Sequence, residues 1–271
     1  MKTRAPRLKD KVAIVTGAGS FAAGIGIGKA VAILFAREGA KVVLVDNVAE
    51  RAEDTHRIIA EEGGDSLVCE ADLTRSEEAK RVVETTVAHY GGVDVLHNNV
   101  GVSVRGNVVQ VTEEDWDRIL TINLKSILFC SKFAIPEMIK RGGGSIITTA
   151  SGAGMRGNPN MVAYSTSKGG VIAMSRTMAV QHAKDHIRVN CIAPGTIYTP
   201  RATTQNMTEE KRAIRRKAVP LELEGSPWDV GWAAVYLASD EARWVTGVLL
   251  PVDGGNTIST QFAYISMEHG W

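Results

Sequence analysis

The stretch that decides the fold reads Val12-Ala13-Ile14-Val15-Thr16-Gly17-Ala18-Gly19-Ser20, with further glycines at positions 24, 26 and 28. Its apolar beginning predicts a buried strand, its glycines a tight turn, and the residues after Gly28 a helix. This order suits a pyrophosphate, because glycine lets backbone amides approach phosphates and a helix N-terminus favours negative charge. A P-loop is excluded, since Ala30 stands where a magnesium-binding Ser or Thr is needed and Ala23 where its first glycine should be.

The rest of the chain alternates between short apolar runs and segments of helical period. Thr112, followed by three acidic residues, predicts a helix N-cap. The pattern predicts an α/β Rossmann fold: a doubly wound parallel sheet of about seven strands in a single domain, flanked by helices of the length that parallel crossovers need. Strands are expected at residues 12–15, 42–45, 67–69, 93–96, 145–148, 189–192 and 248–252, and helices at 48–62, 76–90, 112–140 and 162–184.

Length and composition favour a cytoplasmic protein that acts on a small molecule. The 271 residues suit a single domain over 1–271, with a core at 8–257, a variable segment at 199–226 and a tail at 258–271. Lys and Arg number 31 against 30 Asp and Glu, so neither a nucleic acid nor a membrane partner is expected. The three widely spaced cysteines fit buried thiols in a reducing compartment better than disulfides or a metal site.

The beginning of the chain superficially imitates a secretory signal. Basic residues among the first eleven positions precede an uncharged run at 12–28. Five glycines interrupt that run, and it leads directly into the α/β pattern, so we expect no signal peptide.

Asp46 identifies the nucleotide. It ends the second predicted strand, twenty positions after Gly26, where a carboxylate can accept hydrogen bonds from the adenosine ribose hydroxyls. The same charge would repel a 2′-phosphate, so the sequence favours NAD over NADP. Arg51 is the nearby cation that would favour the opposite choice.

From about residue 8 to 257 the chain resembles the short-chain dehydrogenase/reductase family, in its compact single-domain, NAD-dependent branch. Beside the glycine turn, the resemblance is carried by Ala71-Asp72-Leu73-Thr74, Asn98-Asn99-Val100-Gly101 and Pro194-Gly195-Thr196-Ile197-Tyr198-Thr199. It implies a homotetramer in which two long helices pair between subunits. It also implies NAD contacts at Gly17, Gly26, Ile27, Asp46, Asp72, Leu73, Asn99, Gly101, Tyr164, Lys168, Gly195, Ile197 and Thr199.

The family's catalytic set is matched most specifically. Ser151 lies thirteen residues before Tyr164, Lys168 lies four after it, and Asn123 matches the fourth member. Hydride transfer from an alcohol requires a base at the hydroxyl, and a tyrosine with a pKa near 10 needs a positive charge to serve at neutral pH. Lys168, one helical turn away, would supply that charge, aided by oxidised nicotinamide.

The other two members have supporting roles. Ser151, at the carboxyl end of a strand, would hydrogen-bond the substrate oxygen. By resemblance, Asn123 would hold a water that links Lys168 to solvent; its alternative role is to satisfy helix backbone. The substrate-binding residues we predict are Ser151, Tyr164, Val102, Met155 and Met161, mostly small or apolar.

Three segments depart from the family's pattern. The glycine turn carries about five extra residues, 21–25, which would either fold over the cofactor or bulge into solvent. Segment 199–226 contains Pro220-Leu221-Glu222-Leu223-Glu224-Gly225, to which the sequence assigns no function, and a basic run at 212–217 that favours a solvated helix face over an anion site. The apolar tail would pack on a neighbouring subunit or over the active site, or be a disordered end.

The sequence therefore predicts an NAD-dependent enzyme that interconverts a secondary alcohol and a ketone. Alternatives are a 3-oxoacyl-type reductase and, from another class, a catalytically silent nucleotide sensor or scaffold on the same fold. A lyase or epimerase is disfavoured, because 271 residues leave little room for a larger substrate domain.

Tyr164→Phe should reduce turnover more than Asn123→Ala does. The first substitution removes the acid/base, whereas the second affects only a relay behind it. Steady-state kcat measured for both variants with one alcohol and one ketone checks this ranking, and an equal or larger loss in Asn123→Ala would contradict it.

Overall fold

The computed structural model describes residues 5–203 and 207–259, which form one parallel sheet covered on both faces. The seven strands are β1 (Val12–Thr16), β2 (Lys41–Asp46), β3 (Ser66–Glu70), β4 (Val95–Asn98), β5 (Gly144–Thr149), β6 (Ile187–Pro194) and β7 (Leu249–Val252). Their order in the sheet is β3-β2-β1-β4-β5-β6-β7, and every pairing is parallel. The predicted doubly wound Rossmann fold is confirmed.

The helices lie in two layers. On one face α1 (Ile27–Arg37), α2 (Ala49–Glu61) and α9 (Pro227–Ala238) pack on the sheet around Phe35. On the other, α3 (Ser76–Tyr90), α5 (Ser126–Lys140) and α6 (Val162–Gln181) pack around Met138. The remaining helices are α4 (Glu113–Leu120), α7 (Pro200–Thr203) and α8 (Glu209–Lys217).

The helix predicted at 112–140 is interrupted by a wider turn. Between α4 and α5 the backbone forms a π turn at Thr121–Lys125, which carries Asn123 to a position with no exposed surface. The Thr112 hydroxyl accepts from Asp115 N at 3.1 Å, so the predicted N-cap is confirmed. By length and composition residues 113–140 could cross a membrane, a test that a core helix also passes, and Ile127, Cys130 and Met138 of this run are buried in the core.

β4 begins and ends two residues later than the predicted run 93–96. Its last residues are His97 and Asn98, which are polar yet buried. The apolar pattern ends before them, but the ladder with β5 pairs both residues. Inside the protein His97 Nε2 lies beside the Thr149 hydroxyl and Asn98 donates to Ser131 Oγ.

The first turn of α1 approaches β1 as closely as a backbone can. A Cβ at Gly28 would lie 1.9 Å from the Gly17 carbonyl oxygen and 2.6 Å from Asn99 Nδ2. Only glycine fits there, and Gly17 itself has φ +61°. This contact fixes the N-terminus of α1 at the carboxyl end of β1, beside the crevice where such sheets bind ligands.

Gly28→Ala should destabilise the protein by about 1–3 kcal/mol, because the added methyl forces the turn away from the helix. Gly169→Ala is the matched control: it also adds a methyl to a helical glycine, but its closest contact is 3.7 Å, so it should be neutral or stabilise the protein by up to about 1 kcal/mol. Transition temperatures of both variants, measured by calorimetry, test this expectation, and equal values would refute the packing argument.

Candidate active site

A cleft runs across the carboxyl ends of β1, β2, β4, β5 and β6, in two adjoining compartments. Asp46, Asp72 and Leu73 line the first, and Tyr164, Lys168 and Ser151 line the second. All residues predicted to contact the cofactor line one compartment or both. Those of the second are Gly26, Ile27, Gly195, Ile197 and Thr199, and those shared are Gly17, Asn99 and Gly101.

Asp46 lines the first compartment at the end of β2. It is 9% exposed, and its carboxylate accepts from Gly19 N and Val48 N, each at 3.2 Å. These amides fix the carboxylate at the end of β2 while it still lines the cleft, as a group that receives ribose hydroxyls must. Arg51 Nη1 lies 3.9 Å from Asp46 Oδ1, so a cation stands beside the acid.

Two backbone N–H groups of the glycine turn already donate hydrogen bonds to other groups of the protein. Gly19 N–H donates to Asp46, and Gly26 N–H donates to Ser20 Oγ at 2.8 Å. The start of α1 therefore offers the N–H groups after Gly26, which have no partner within the helix. The donors supplied by helix α1 thus fit a pyrophosphate, but those of Gly19 and Gly26 are already engaged.

Ser151, Tyr164 and Lys168 meet in the second compartment. The Ser151 side chain interacts with Tyr164 and lowers its pKa, and Lys168 Nζ lies 5.9 Å from the centroid of the Tyr164 ring. Lys168 is 3% exposed and donates to the Thr149 carbonyl oxygen at 2.7 Å. The structure therefore brings together the predicted acid/base, its hydroxyl partner and a buried ammonium.

Burial shifts both titratable groups toward their neutral forms. It raises the pKa of Tyr164, and the interaction with the Ser151 side chain and the positive charge of Arg201 oppose that shift. Burial lowers the pKa of Lys168 to about 8. Arg201 thus adds a positive charge near Tyr164 beside the predicted one of Lys168, whose ammonium donates to Thr149 O.

Asn123 lies behind the cleft rather than in its lining. Its Oδ1 accepts from Val102 N at 2.8 Å, and its Nδ2 donates to Val102 O at 3.0 Å and to Ser167 Oγ at 2.9 Å. A Cβ at Gly101 would lie 3.4 Å from Lys168 Nζ and 3.5 Å from Asn123 Oδ1, so both side chains border the same glycine. Asn123 thus ties the loop after β4 to α6, close to Lys168.

Three further polar side chains connect the cofactor end to the catalytic end. The Thr149 hydroxyl donates to Asn99 Oδ1 and lies beside His97 Nε2, both at 3.2 Å, and Asn99 Nδ2 donates to Gly17 O at 3.2 Å. Burial lowers the pKa of His97 to about 3, so this imidazole is neutral. Sequence reasoning missed Thr149 and His97, because both fall inside or next to strands that were recognised only by apolarity.

The predicted substrate residues are split. Ser151, Tyr164 and Met161 line the catalytic compartment together with Ser103, whereas Val102 lines the first compartment. Met155 is 42% exposed and lies outside the lining of both.

Two arginines of the basic run in segment 199–226, Arg212 and Arg216, form ion pairs within the segment. Arg212 pairs with Glu224 and Glu209, and its guanidinium lies 4.4 Å from the centroid of Tyr198. Arg216 pairs with Glu209, and Arg215 donates to Ile197 O at 3.1 Å. Glu224, in the stretch to which the sequence assigned no function, therefore anchors α8 beside the turn that carries Ile197 and Thr199.

Of the extra residues 21–25, Phe21 reaches the cleft. Phe21 lines both compartments although it is 61% exposed, and a Cβ at Gly24 would lie 3.3 Å from Pro200 Cγ. Of the two alternatives, the structure favours the fold over the cofactor cleft. Arg201, which sequence reasoning also missed, lines both compartments; its only signal was its place directly after Thr199 and Pro200. Residues 260–271 of the predicted tail lie outside the described residues.

Comparison with known proteins relates the chain to oxidoreductases. A family model described as enoyl-(acyl carrier protein) reductase matches residues 21–257. A 3-oxoacyl-[acyl-carrier-protein] reductase of Thermotoga maritima is 39% identical over 93% of this chain and 100% of its own length. An NADP-dependent (R)-specific alcohol dehydrogenase of Lentilactobacillus kefiri is also 39% identical, over 93% of this chain and 98% of its own.

Comparison with solved structures also relates the chain to an oxidoreductase. The structure of a 7α-hydroxysteroid dehydrogenase complexed with NADH and 7-oxo glycochenodeoxycholic acid superposes with a TM-score of 0.86, at 37% identity. The match covers 93% of this chain and 96% of that one. These three similarities each cover 93% of this chain.

The buried ammonium should be visible in the pH dependence of stability. Since burial lowers the pKa of Lys168 from 10.5 to about 8, the unfolded chain binds one more proton between those values, and this residue makes stability rise with pH there by up to about 3 kcal/mol. Below pH 8 both states are protonated and its contribution is constant.

The stability gained by Lys168→Met over wild type should therefore be largest near pH 7 and disappear toward pH 10. Transition temperatures of the two cofactor-free proteins at pH 7 and pH 10 test this. A difference that stays the same at both pH values would show that Lys168 titrates as an ordinary lysine.

Proposed function

The chain belongs to the short-chain dehydrogenase/reductase family of oxidoreductases, and we propose that it interconverts a secondary alcohol and a ketone with NAD. The observation that carries the proposal is the meeting of Ser151, Tyr164 and Lys168 in the cleft that also contains the glycine turn. A protein that only bound a nucleotide would need no such set, so the silent sensor is disfavoured.

Each side chain has a task at the reacting oxygen. Tyr164 takes the hydroxyl proton of the alcohol, or returns it to the ketone, because its phenol lines the compartment beside Ser151. Ser151 orients the substrate oxygen by a hydrogen bond. Lys168, anchored on Thr149, keeps a positive charge near the phenol, and bound NAD supplies the hydride acceptor.

The preference for NAD is supported by Asp46. Its buried carboxylate offers acceptors to ribose hydroxyls and would repel a 2′-phosphate. Arg51, at 3.9 Å, weakens that repulsion, and the Lentilactobacillus relative is NADP-dependent whereas the steroid dehydrogenase carries NADH. We therefore propose NAD as the cofactor, with Asp46 as the residue that determines the preference for NAD over NADP.

The substrate class follows from the lining of the second compartment. Met161, Ile197 and Ser103 give it an apolar and small-polar wall, which suits an uncharged reacting end. The Thermotoga relative keeps a 3-oxoacyl group open as the second candidate substrate. A cytoplasmic location and a homotetramer complete the proposal.

Purified protein should turn over secondary alcohols with NAD and lose this activity in Tyr164→Phe. Asp46→Asn, which removes the charge and keeps the shape, should weaken NADH binding about tenfold and improve NADPH binding. Glu53→Gln, an exposed acid on α2, is the matched control and should leave both affinities unchanged. Absorbance assays with alcohols, ketones and 3-oxoacyl substrates, together with fluorescence titrations, measure these effects. Wild-type preference for NADPH would overturn the assignment of Asp46.

A further inference from the structure

Five residues line both compartments of the cleft and mark the passage between them: Gly17, Phe21, Asn99, Gly101 and Arg201. In any nicotinamide dinucleotide the pyrophosphate joins the two nucleosides, so it has to lie in this passage. Arg201, on α7, is the charged residue among the five. A guanidinium matches phosphate oxygens with paired N–H groups and keeps its charge at every physiological pH.

The glycine turn alone offers a pyrophosphate fewer free backbone N–H groups than its length suggests. Gly19 N–H is committed to Asp46 and Gly26 N–H to Ser20. The amides at the start of α1 carry only the partial charge of a helix N-terminus, about half an elementary charge. A pyrophosphate carries two negative charges, so a cation in the passage would complement what the turn supplies.

The insertion holds Arg201 next to that passage. The Arg201 guanidinium carbon lies 5.9 Å from the centroid of the Phe21 ring, and that of Arg51 lies 5.5 Å from the same centroid. Both distances are in the range of cation–π attraction. A Cβ at Gly24 would lie 3.3 Å from Pro200 Cγ, so the turn also comes close to the residue before Arg201.

We propose that the lengthened turn and α7 form a two-part latch over the cofactor, in which Arg201 binds the pyrophosphate and Phe21 positions its guanidinium. The latch rests on the proposed use of a nicotinamide dinucleotide. It assigns a task to residues 21–25, by which the turn departs from the family's spacing, and to the start of the variable segment.

Equilibrium binding tests the role of Arg201. Turnover is the wrong measure, because the Arg201 charge also lowers the pKa of Tyr164. In fluorescence titrations Arg201→Gln should weaken NADH about tenfold, and in competition against NADH it should weaken ADP-ribose equally and leave adenosine, which has no phosphate, unchanged. Arg243→Gln, an exposed arginine outside the cleft lining, is the control and should match wild type.

A series at position 21 tests the role of Phe21 as a positioning residue. Phe21→Tyr keeps the ring face and should bind NADH within about twofold of wild type, whereas Phe21→Leu keeps only apolar bulk and should bind several-fold more weakly. The double variant Phe21→Leu/Arg201→Gln should bind no more weakly than Arg201→Gln alone, because the ring acts through the guanidinium. Additive losses would refute that coupling.

The outcomes separate the latch from the proposed reaction. Unchanged affinity for NADH and ADP-ribose in Arg201→Gln overturns the latch, and so does an equal loss for adenosine or a loss confined to the KM of the alcohol. If wild type binds NADH through Arg201 but turns over no alcohol or ketone, the reaction fails and the latch stands. If turnover is normal and Arg201→Gln binds like wild type, the latch alone fails.

Discussion

The site depends on the way Thr149 joins three elements at the end of β5. Its carbonyl accepts from the Lys168 ammonium of α6, and its hydroxyl donates to Asn99, which in turn donates to Gly17 O. An ammonium that is 3% exposed is stable only with a well-placed acceptor, so this bond constrains α6 strongly. The proton-transfer end and the cofactor turn are thereby held in one rigid frame, although 151 positions separate Gly17 from Lys168.

The charge states of the titratable groups in this frame follow from their burial away from water. Burial raises the pKa of Tyr164 and lowers that of Lys168, so desolvation disfavours the charged form of each group. Burial thus favours the neutral phenol of Tyr164, which in the proposed reaction would donate a proton to a ketone oxygen. Acting as a base on an alcohol requires added positive charge near the phenol, which Arg201 supplies in part. The direction of the proposed reaction is therefore tied to the cations that surround Tyr164.

The sequence predicted the sheet and its helices because burial imposes periods on apolar residues. The cofactor contacts that it implies stay a prediction, and the structure places those residues in the lining of the cleft. It missed what depends on polar contacts between distant segments. His97 was left out of β4 because apolarity marks only part of a strand. Glu224 looked unexplained because its partner, Arg212, lies twelve residues away on α8. The π turn that buries Asn123 leaves no trace in the apolar pattern either.

The lengthened glycine turn shows how such contacts can change a site without changing the fold. The close approach of Gly28 to Gly17 fixes where α1 begins, so extra residues between them must leave the sheet and lie over its edge. There Ser20 and Asp46 take up two amides, and Phe21 comes within cation–π distance of Arg51 and Arg201. In the proposed latch, the guanidinium of Arg201 takes the place of backbone N–H donors that are engaged within the protein. Such a turn would couple binding of the cofactor to α7, at the start of the segment that borders the second compartment.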